Sequence, residues 1–481
     1  MPLPTIPSGN VASATAEVGF SVANSCRFNT GDSAYMHKTL GTPTSTKIGT
    51  LSVWWKEGVS PNNGTNLDTE GDTGVARFLM TSWGDANNHA AILINAASTM
   101  DLFQYNTGYS SQLKVNALFR DVAAWYHLVF AWDTTQGTAA DRNKIYINGV
   151  EQTYETQTNY DEDDAVSWNA ADYALRVGQR NSNGWLDGYM AEACLIDGLA
   201  LAPTSFGEFD EDSPTIWKPI DVSGLTFGNN GFYLDFEDAD NLGNDANGGT
   251  DLTEVNLAAV DQCTDTPTNN FCTLNPLVRQ HQEETGGLKE GNTEVLFSGA
   301  SWGGISGTMA PAAGKWYFEG KLIANGSNSI IGVVPANTQG KDNTGTWYIG
   351  QYSGEQAYQN NGAASNGGAS FGNTYTDGDI IGVILDCDNA KVYFSKNGSL
   401  ENSGDPSSGA TGTGAMSLTA GEFYTPAVSG NGVTNWEMNF GNPPYANSSS
   451  VADENGYGDF EYSVPDGFLA LCTKNLGSSG G

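Results

Sequence analysis

Positive charge is scarce in this chain. Its 481 residues carry 20 Lys and Arg against 55 Asp and Glu, a formal net charge of −35. A protein that grips a phosphate backbone needs clustered lysine and arginine, and no such cluster occurs, so nucleic acid is not expected as a partner. The acidic excess instead favours solubility and self-repulsion. Six cysteines are too few for a disulfide framework at this length, and none has metal-ligand spacing, so most are expected to be reduced. The histidines, His37, His89, His127 and His281, are scattered, and none lies beside a nucleophile in sequence. No apolar run approaches the roughly twenty residues of a spanning helix, which predicts no membrane insertion. The opening Met1 to Pro7 lacks the basic start and apolar core of a signal peptide, which predicts folding in a cytoplasm. No glycine pattern joins a strand to a helix as a phosphate cradle would require.

What the chain does hold is glycine and aromatics: 60 Gly, 20 Phe, 20 Tyr and 12 Trp. Glycine serves turns, aromatics fill sheet faces, and helical periodicity is rare, so the fold class is all-β. The length exceeds one core and predicts about two to three units. Phe119 to Val150 sets the pattern. A strand over Trp125 to Trp132 precedes a polar loop, a second strand over Lys144 to Ile147, and Asn148-Gly149, which supplies the positive backbone angles of a two-residue hairpin. Tyr126, Leu128 and Phe130 share one parity, while Trp125, Val129 and Trp132 crowd the other face, which predicts burial on both sides. The same grammar returns over Asp379 to Asp386, Lys391 to Phe394 and Asn397-Gly398. Two copies predict two β-sandwiches of related design.

Residues 1–20 are proline-led, small and polar, unable to form a domain. They read as a flexible terminus or as an extended arm that orders on a neighbouring subunit. Strands begin at Asn24 and follow at turn-separated spacing through Tyr105, with a long polar loop over Asn62 to Gly74. The runs "FRDVAAWYHLVFAWDTT", "DRNKIYINGV", "LRVGQR" and "WLDGYMAEACLIDGLALAPTSFGEFD" resemble the laminin-G-like, concanavalin A-like sandwiches of bacteriophage and marine-virus virion proteins. The resemblance implies a jelly-roll of two antiparallel sheets over residues 21–260. Phe232 to Phe236, a strand that opens many such domains, comes last here; neighbouring first and last strands make that order topologically cheap. Residues 261–292 read as a connector. Over 293–442 the motifs "GKWYFE", "GDIIGVILD" and "VYFSKNG", with closing strands at Tyr424 to Val428 and Trp436 to Gly441, resemble a SPRY domain, a concanavalin-like sandwich that implies binding and no chemistry. The last stretch, 443–481, reads as a C-terminal locking segment and flexible tail, because Val464 to Leu476 echoes Asp265 to Asn275. The fold expected is thus two tandem concanavalin A-like jelly-roll β-sandwiches.

Glycoside hydrolases on such folds pair carboxylates on one strand face. The acids Glu208, Asp210, Glu211 and Asp212 lie between Pro203 and Pro214, which reads as a loop, and Asp235 with Glu237 lacks a third alternating acid. No catalytic residue is assigned. Calcium takes oxygens from carboxylates and carbonyls, so two acidic loops are candidate sites: Asp161, Asp163 and Asp164, and Asp238, Asp240 and Asp245. A solvated charged face is the competing reading of each. Sugar C–H faces pack on rings while hydroxyls meet amides, which makes Asn181, Asn183 and Trp185, and Asn343, Trp347 and Tyr348, candidate glycan contacts; core packing competes there too. The function expected is a non-enzymatic virion surface protein, a tail fibre, tail-associated or head-decorating component, that binds a host surface or glycan. Its partners would be other capsid or tail proteins, reached through the N-terminal arm, and copies of itself, a trimer by analogy with phage fibres. A decoration subunit without ligand and a polysaccharide hydrolase are the alternatives.

Overall fold

The computed structural model describes residues 19–58, 76–280, 285–298, 302–336, 356–359, 361, 363–364 and 370–479. The arm up to residue 18, the 62–74 loop and the candidate contacts Asn343, Trp347 and Tyr348 lie outside the described residues. The chain divides between Thr268 and Asn269 into two compact units, both built of antiparallel sheets. The one α-helix among the described residues is Thr473–Ser479, and no helix there is long and apolar enough to cross a membrane.

In the first unit, one sheet runs in the order Val150–Glu151, Asn143–Ile147, Tyr126–Asp133, Ile48–Glu57, Gly188–Asp197, Ser25–Phe28 and Gln262–Cys263, with Phe232–Leu234 also paired to Gly188–Asp197. First and last strands are therefore neighbours, Ser25 facing Cys263. The second sheet runs Tyr154–Thr158, Tyr109–Leu118, Thr99–Asn106, Asn88–Ile94, Arg77–Asp85, Ala174–Val177, Tyr35–Thr39 and Thr253–Val255. Period-two alternation sends Leu51, Val53, Trp55, Leu128 and Phe130 into the space between the sheets, where they meet Leu79, Ile92, Leu102, Leu113 and Leu175. Trp132 joins them, its ring stacked 5.2 Å from Phe130. The expectation that Trp132 serves the other face is corrected: with Asp133 still in the strand, even-numbered residues face the core throughout.

The first sheet's other face is covered as well. Trp54, Trp125, Tyr189 and Trp217 form one cluster there with Val22 and Phe20. Val129, Cys194, Ile196, Phe206, Val222, Phe227 and Tyr233 form another. Both central strands, Ile48–Glu57 and Gly188–Asp197, are buried on both sides as a result. The acids at 208–212, read above as a loop, begin inside a strand: Gly207–Phe209 pairs with Trp217–Pro219, and Lys218 reaches Glu208 at 3.3 Å and Asp210 at 3.5 Å.

The second unit repeats the hairpin grammar. Ile380–Asp386, Lys391–Lys396 and Ser399–Leu400 end a nine-stranded sheet as Tyr126–Asp133, Asn143–Ile147 and Val150–Glu151 end the first. At both tips the Asn-Gly pair takes positive φ, 47° and 77° at Asn148-Gly149 and 48° and 77° at Asn397-Gly398, the geometry of a type I′ turn. A five-stranded sheet of Leu274–Gln280, Trp302–Gly307, Tyr424–Asn431, Asn328–Pro335 and Gln356–Gln359 forms the other layer.

The 261–292 stretch is divided between the units: Gln262–Cys263 completes a sheet of the first, while Leu274–Gln280 and Thr285–Lys289 enter sheets of the second. The two echoing segments meet each other. Phe271 bridges Cys472, Cys272 N–H donates to Leu471 O at 3.0 Å, and Thr473 N–H donates to Asn270 O at 2.9 Å. Behind them Phe460, Phe468 and Ala470 pack on Tyr317, Ile384 and Tyr393, so the C-terminal stretch is part of the second core. All six cysteines are buried, and none is joined in a disulfide.

Asp265 anchors the end of the first unit. Fully buried, it accepts from Lys56 Nζ at 2.7 Å and Trp125 Nε1 at 2.9 Å, and its carbonyl accepts from Ser25 Oγ at 2.6 Å. Removing one member of a buried ion pair strands the other charge. Asp265→Ala should therefore cost about 3–5 kcal/mol, measured as a lower urea midpoint of the first unit's transition. A loss below about 1 kcal/mol would mean that Lys56 does not depend on this carboxylate.

Candidate functional site

The second sheet of the first unit turns its other face away from the core, and that face is aromatic. Register fixes a row across four strands: Trp83 opposite His89, His89 opposite Tyr105, and Tyr105 opposite Tyr109. Cross-strand partners share a face, and the rings touch in sequence, with centroids 4.5, 5.5 and 5.5 Å apart. A second row runs from His37 through Arg176, Thr81, Ala91 and Phe103 to Gln112. Phe103 ties the rows together, 5.7 Å from His89 and 5.4 Å from Tyr109. Phe78, Ala91, Leu93 and Phe103 form a hydrophobic cluster separate from the core. Trp83 and Tyr105 are half-buried, and Tyr109 is 56% exposed.

Positive charge gathers on this face. The Arg180 guanidinium lies 5.5 Å from the Trp83 ring and 5.8 Å from Phe78, within cation–π range. Among the described residues it makes no ion pair and no side-chain hydrogen bond, and its Nε is buried without a partner. Arg176 lies 5.7 Å over Tyr35, donates to Gln179 Oε1 at 2.9 Å, and likewise has no carboxylate partner among the described residues. His89 is 3% exposed, and its Nδ1 has no hydrogen-bond partner. Burial first, then the Arg180 charge, holds its imidazole below the ordinary range; burial and Arg176 do the same to His37.

The structure brings the first predicted glycan loop to the rim of this face. Arg180 N–H donates to Asn183 O at 3.2 Å and Phe78 N–H to Gly184 O at 3.2 Å, which closes the 180–184 turn against the Phe78 strand. Gly184 takes φ +67°, and a Cβ there would fall 2.5 Å from the Phe78 ring, so the close approach requires glycine. Asn183 is exposed, Asn181 half-buried, and Trp185 half-buried with its Nε1 unpartnered. Sequence reading found this rim and missed the face itself. The signal was an aromatic at every second position, Phe103, Tyr105 and, across a tight turn, Tyr109.

Neither acidic loop is gathered around one point; among the described residues no group of three or more His, Cys, Asp or Glu could hold a metal ion. Asp163 pairs with Lys47 at 2.7 Å, and Asp164 Oδ2 accepts from Asp161 N–H at 3.3 Å. Asp238 accepts from Asp240 N–H at 3.0 Å, while Asp245 turns inward to accept from Tyr233 N–H at 3.0 Å. Lys47 thus uses Asp163, and backbone N–H donors use Asp164, Asp238 and Asp245.

One buried pair imitates a catalytic dyad. Ser52 Oγ and His127 Nε2 lie 2.8 Å apart under the Trp54 and Trp217 rings. Trp217 Nε1 can only donate, and it donates to His127 Nδ1 at 2.9 Å. The neutral ring therefore carries its proton on Nε2 and donates to Ser52. A general base for serine needs the opposite tautomer. Burial alone pushes His127 down to about 3.

Residues 315–442 match the SPRY domain family. A Ran-binding proteins 9/10 homolog from Drosophila melanogaster is 29% identical over 120 residues; the match spans 23% of this chain and only 12% of that protein. Similar solved structures include the SPRY domain of human HERC1, 15% identical, covering 34% of this chain and 96% of that one at a TM-score of 0.27. A heptameric SAP-like pentraxin from Limulus polyphemus is 14% identical, covering 38% of this chain and 80% of its own at a TM-score of 0.27. The SPRY domain is a binding fold.

Three buried carboxyls set a pH dependence. Burial pushes Glu57 and Glu192 up to about 8 and Glu319 up to about 7. Both Glu57 oxygens lack hydrogen-bond partners; Glu192, at φ 49° in the bulge of its strand, accepts only from Tyr233 Oη at 2.7 Å. Folded values above the unfolded 4.5 give stability that is complete at low pH and lost as pH rises through 7–8. His127 has the opposite sign, losing its contribution as pH falls from 6.5 towards 3. The urea midpoint should fall between pH 6 and pH 9, and Glu57→Gln and Glu192→Gln should each flatten that fall. An unchanged slope in both variants would show that these carboxyls are already ionised at pH 6.

Proposed function

We propose that this chain is a non-catalytic binding protein whose first sandwich takes carbohydrate on the aromatic face of its second sheet. The observation that carries the reading is the continuous row Trp83–His89–Tyr105–Tyr109, ending in a tyrosine 56% exposed. Rings of this kind accept the C–H faces of sugars, and Asn181, Asn183 and Gln112 stand beside them for hydroxyls. The inverted Ser52–His127 pair and the capture of Glu208 and Asp210 by Lys218 support the absence of chemistry.

In this reading, which the sequence resemblance to laminin-G-like virion proteins supports, the activity belongs to a virion surface, in an adhesin of the tail or a decoration of the head. In the same reading residues 1–20 fasten the chain to other virion proteins, and copies of it assemble as a homo-oligomer, a trimer by analogy. Weak single contacts then add up through effective concentration. The SPRY match favours a second role beside the first, a protein partner for residues 315–442. A decoration subunit would need neither.

Trp83→Ala and Tyr109→Ala should each weaken binding to a glycan panel about tenfold, the loss of roughly 1.4 kcal/mol, with unchanged near-UV dichroism. Trp347→Ala tests the other predicted loop. Binding that survives both changes on the face and falls with Trp347→Ala would move the site to the second sandwich. Incubation with the same panel should release no reducing sugar.

A further inference from the structure

The aromatic face carries a charge opposite to that of the molecule. In a chain with 20 basic and 55 acidic side chains, a basic group is expected to find a carboxylate, and many do: Lys47, Lys56, Lys114, Arg142, Lys144, Lys218, Lys315, Lys321 and Lys396 each pair with one. Among the described residues Arg176 and Arg180 do not, and both stand on the same sheet face, over Tyr35 and over Trp83 and Phe78. Two carboxylates flank them. Asp85 is occupied by Asn88 Nδ2 at 3.0 Å and Asn87 N–H at 2.7 Å, and Asp101 by Gln112 Nε2 at 3.0 Å, with Lys114 opposite Asp101 in register. The third polar feature is His89, buried between Trp83, Phe103 and Tyr105 with Nδ1 unpartnered.

We propose that this face is built for a uronate-bearing polysaccharide. The inference rests on the carbohydrate reading above and names its chemical class. Sugar rings would lie along Trp83, Tyr105 and Tyr109, and a carboxylate of the chain would meet the Arg180 guanidinium, with Arg176 open to a second. A guanidinium is planar and forked, which suits a carboxylate and costs less to desolvate than an ammonium. The cation–π contact with Trp83 at 5.5 Å holds the group in place without neutralising it. A neutral glycan would gain from the rings and leave both guanidinium groups unpaired. A polyanion without that stacking would meet long-range repulsion from a body of net charge −35. Only an acidic sugar satisfies rings and charges together.

The test titrates the full chain with polygalacturonate, with the same polymer fully methyl-esterified, and with dextran sulfate, at about 0.15 M salt so that long-range fields are screened. Polygalacturonate should bind at least tenfold more tightly than the other two. Arg180→Gln should abolish that preference while leaving the weaker affinity for the ester unchanged. Lys144→Gln, a surface change in the other sheet, should do nothing. Equal binding of free and esterified polymer would overturn the charge inference while leaving the carbohydrate reading intact. Equal binding of dextran sulfate would overturn the choice of carboxylate. Equal effects of Arg180→Gln and Lys144→Gln would reduce the interaction to net charge. Failure to bind any of the three, or alginate, would overturn both the inference and the reading beneath it.

Discussion

The first unit is organised by a sheet that is buried on both faces. Ile48–Glu57 and Gly188–Asp197 lie at its centre, one side against the inter-sheet core and the other against Trp54, Trp217, Phe206 and Tyr233. A strand in that position can expose nothing, so polar groups on it must be satisfied internally. That constraint explains the Ser52–His127–Trp217 chain and the Lys56–Asp265 pair, and the same burial raises the carboxyls of Glu57 and Glu192. It also decides where function can be. With one sheet enclosed, the broad surface left to meet a ligand is the outward face of the other sheet.

That outward face obeys a different rule. Its strands alternate core residues with aromatics where a solvated sheet would carry polar side chains. The rings protect one another, which is why His89 and Phe103 are buried at a surface while Tyr109 at the end of the row is not. An apolar patch of this kind, bordered by Arg176, Arg180 and amides, marks an interaction site more than a stability device. The acidic remainder of the molecule, with 55 Asp and Glu against 20 Lys and Arg, sharpens the contrast.

Much of the architecture was legible in the residues. Asn148-Gly149 and Asn397-Gly398 required positive φ and so announced two hairpins of one design; the apolar run through Val129 announced a strand covered twice. The aromatic face was not legible, because alternation reports two faces and never which one is inward. Only register places Trp83, His89, Tyr105 and Tyr109 in one row, and these four lie on four strands joined by three turns. Trp132 was assigned to the wrong side for a related reason: four large rings in the eight residues from Trp125 to Trp132 conceal parity. The loop at Asn181–Trp185 was found because its composition is local. The acidic loops misled because composition does not show that backbone N–H groups already occupy Asp164, Asp238 and Asp245.

The central claim is that binding takes place on the outward face of the second sheet of the first sandwich. Hydrogen–deuterium exchange of the full chain, with and without saturating polygalacturonate, tests it most directly. The account predicts slowed exchange in Arg77–Asp85, Asn88–Ile94, Thr99–Asn106 and the 178–186 turn, with the SPRY region at 315–442 unchanged. Protection confined to 315–442, or to the strands Ile48–Glu57 and Gly188–Asp197, would contradict it.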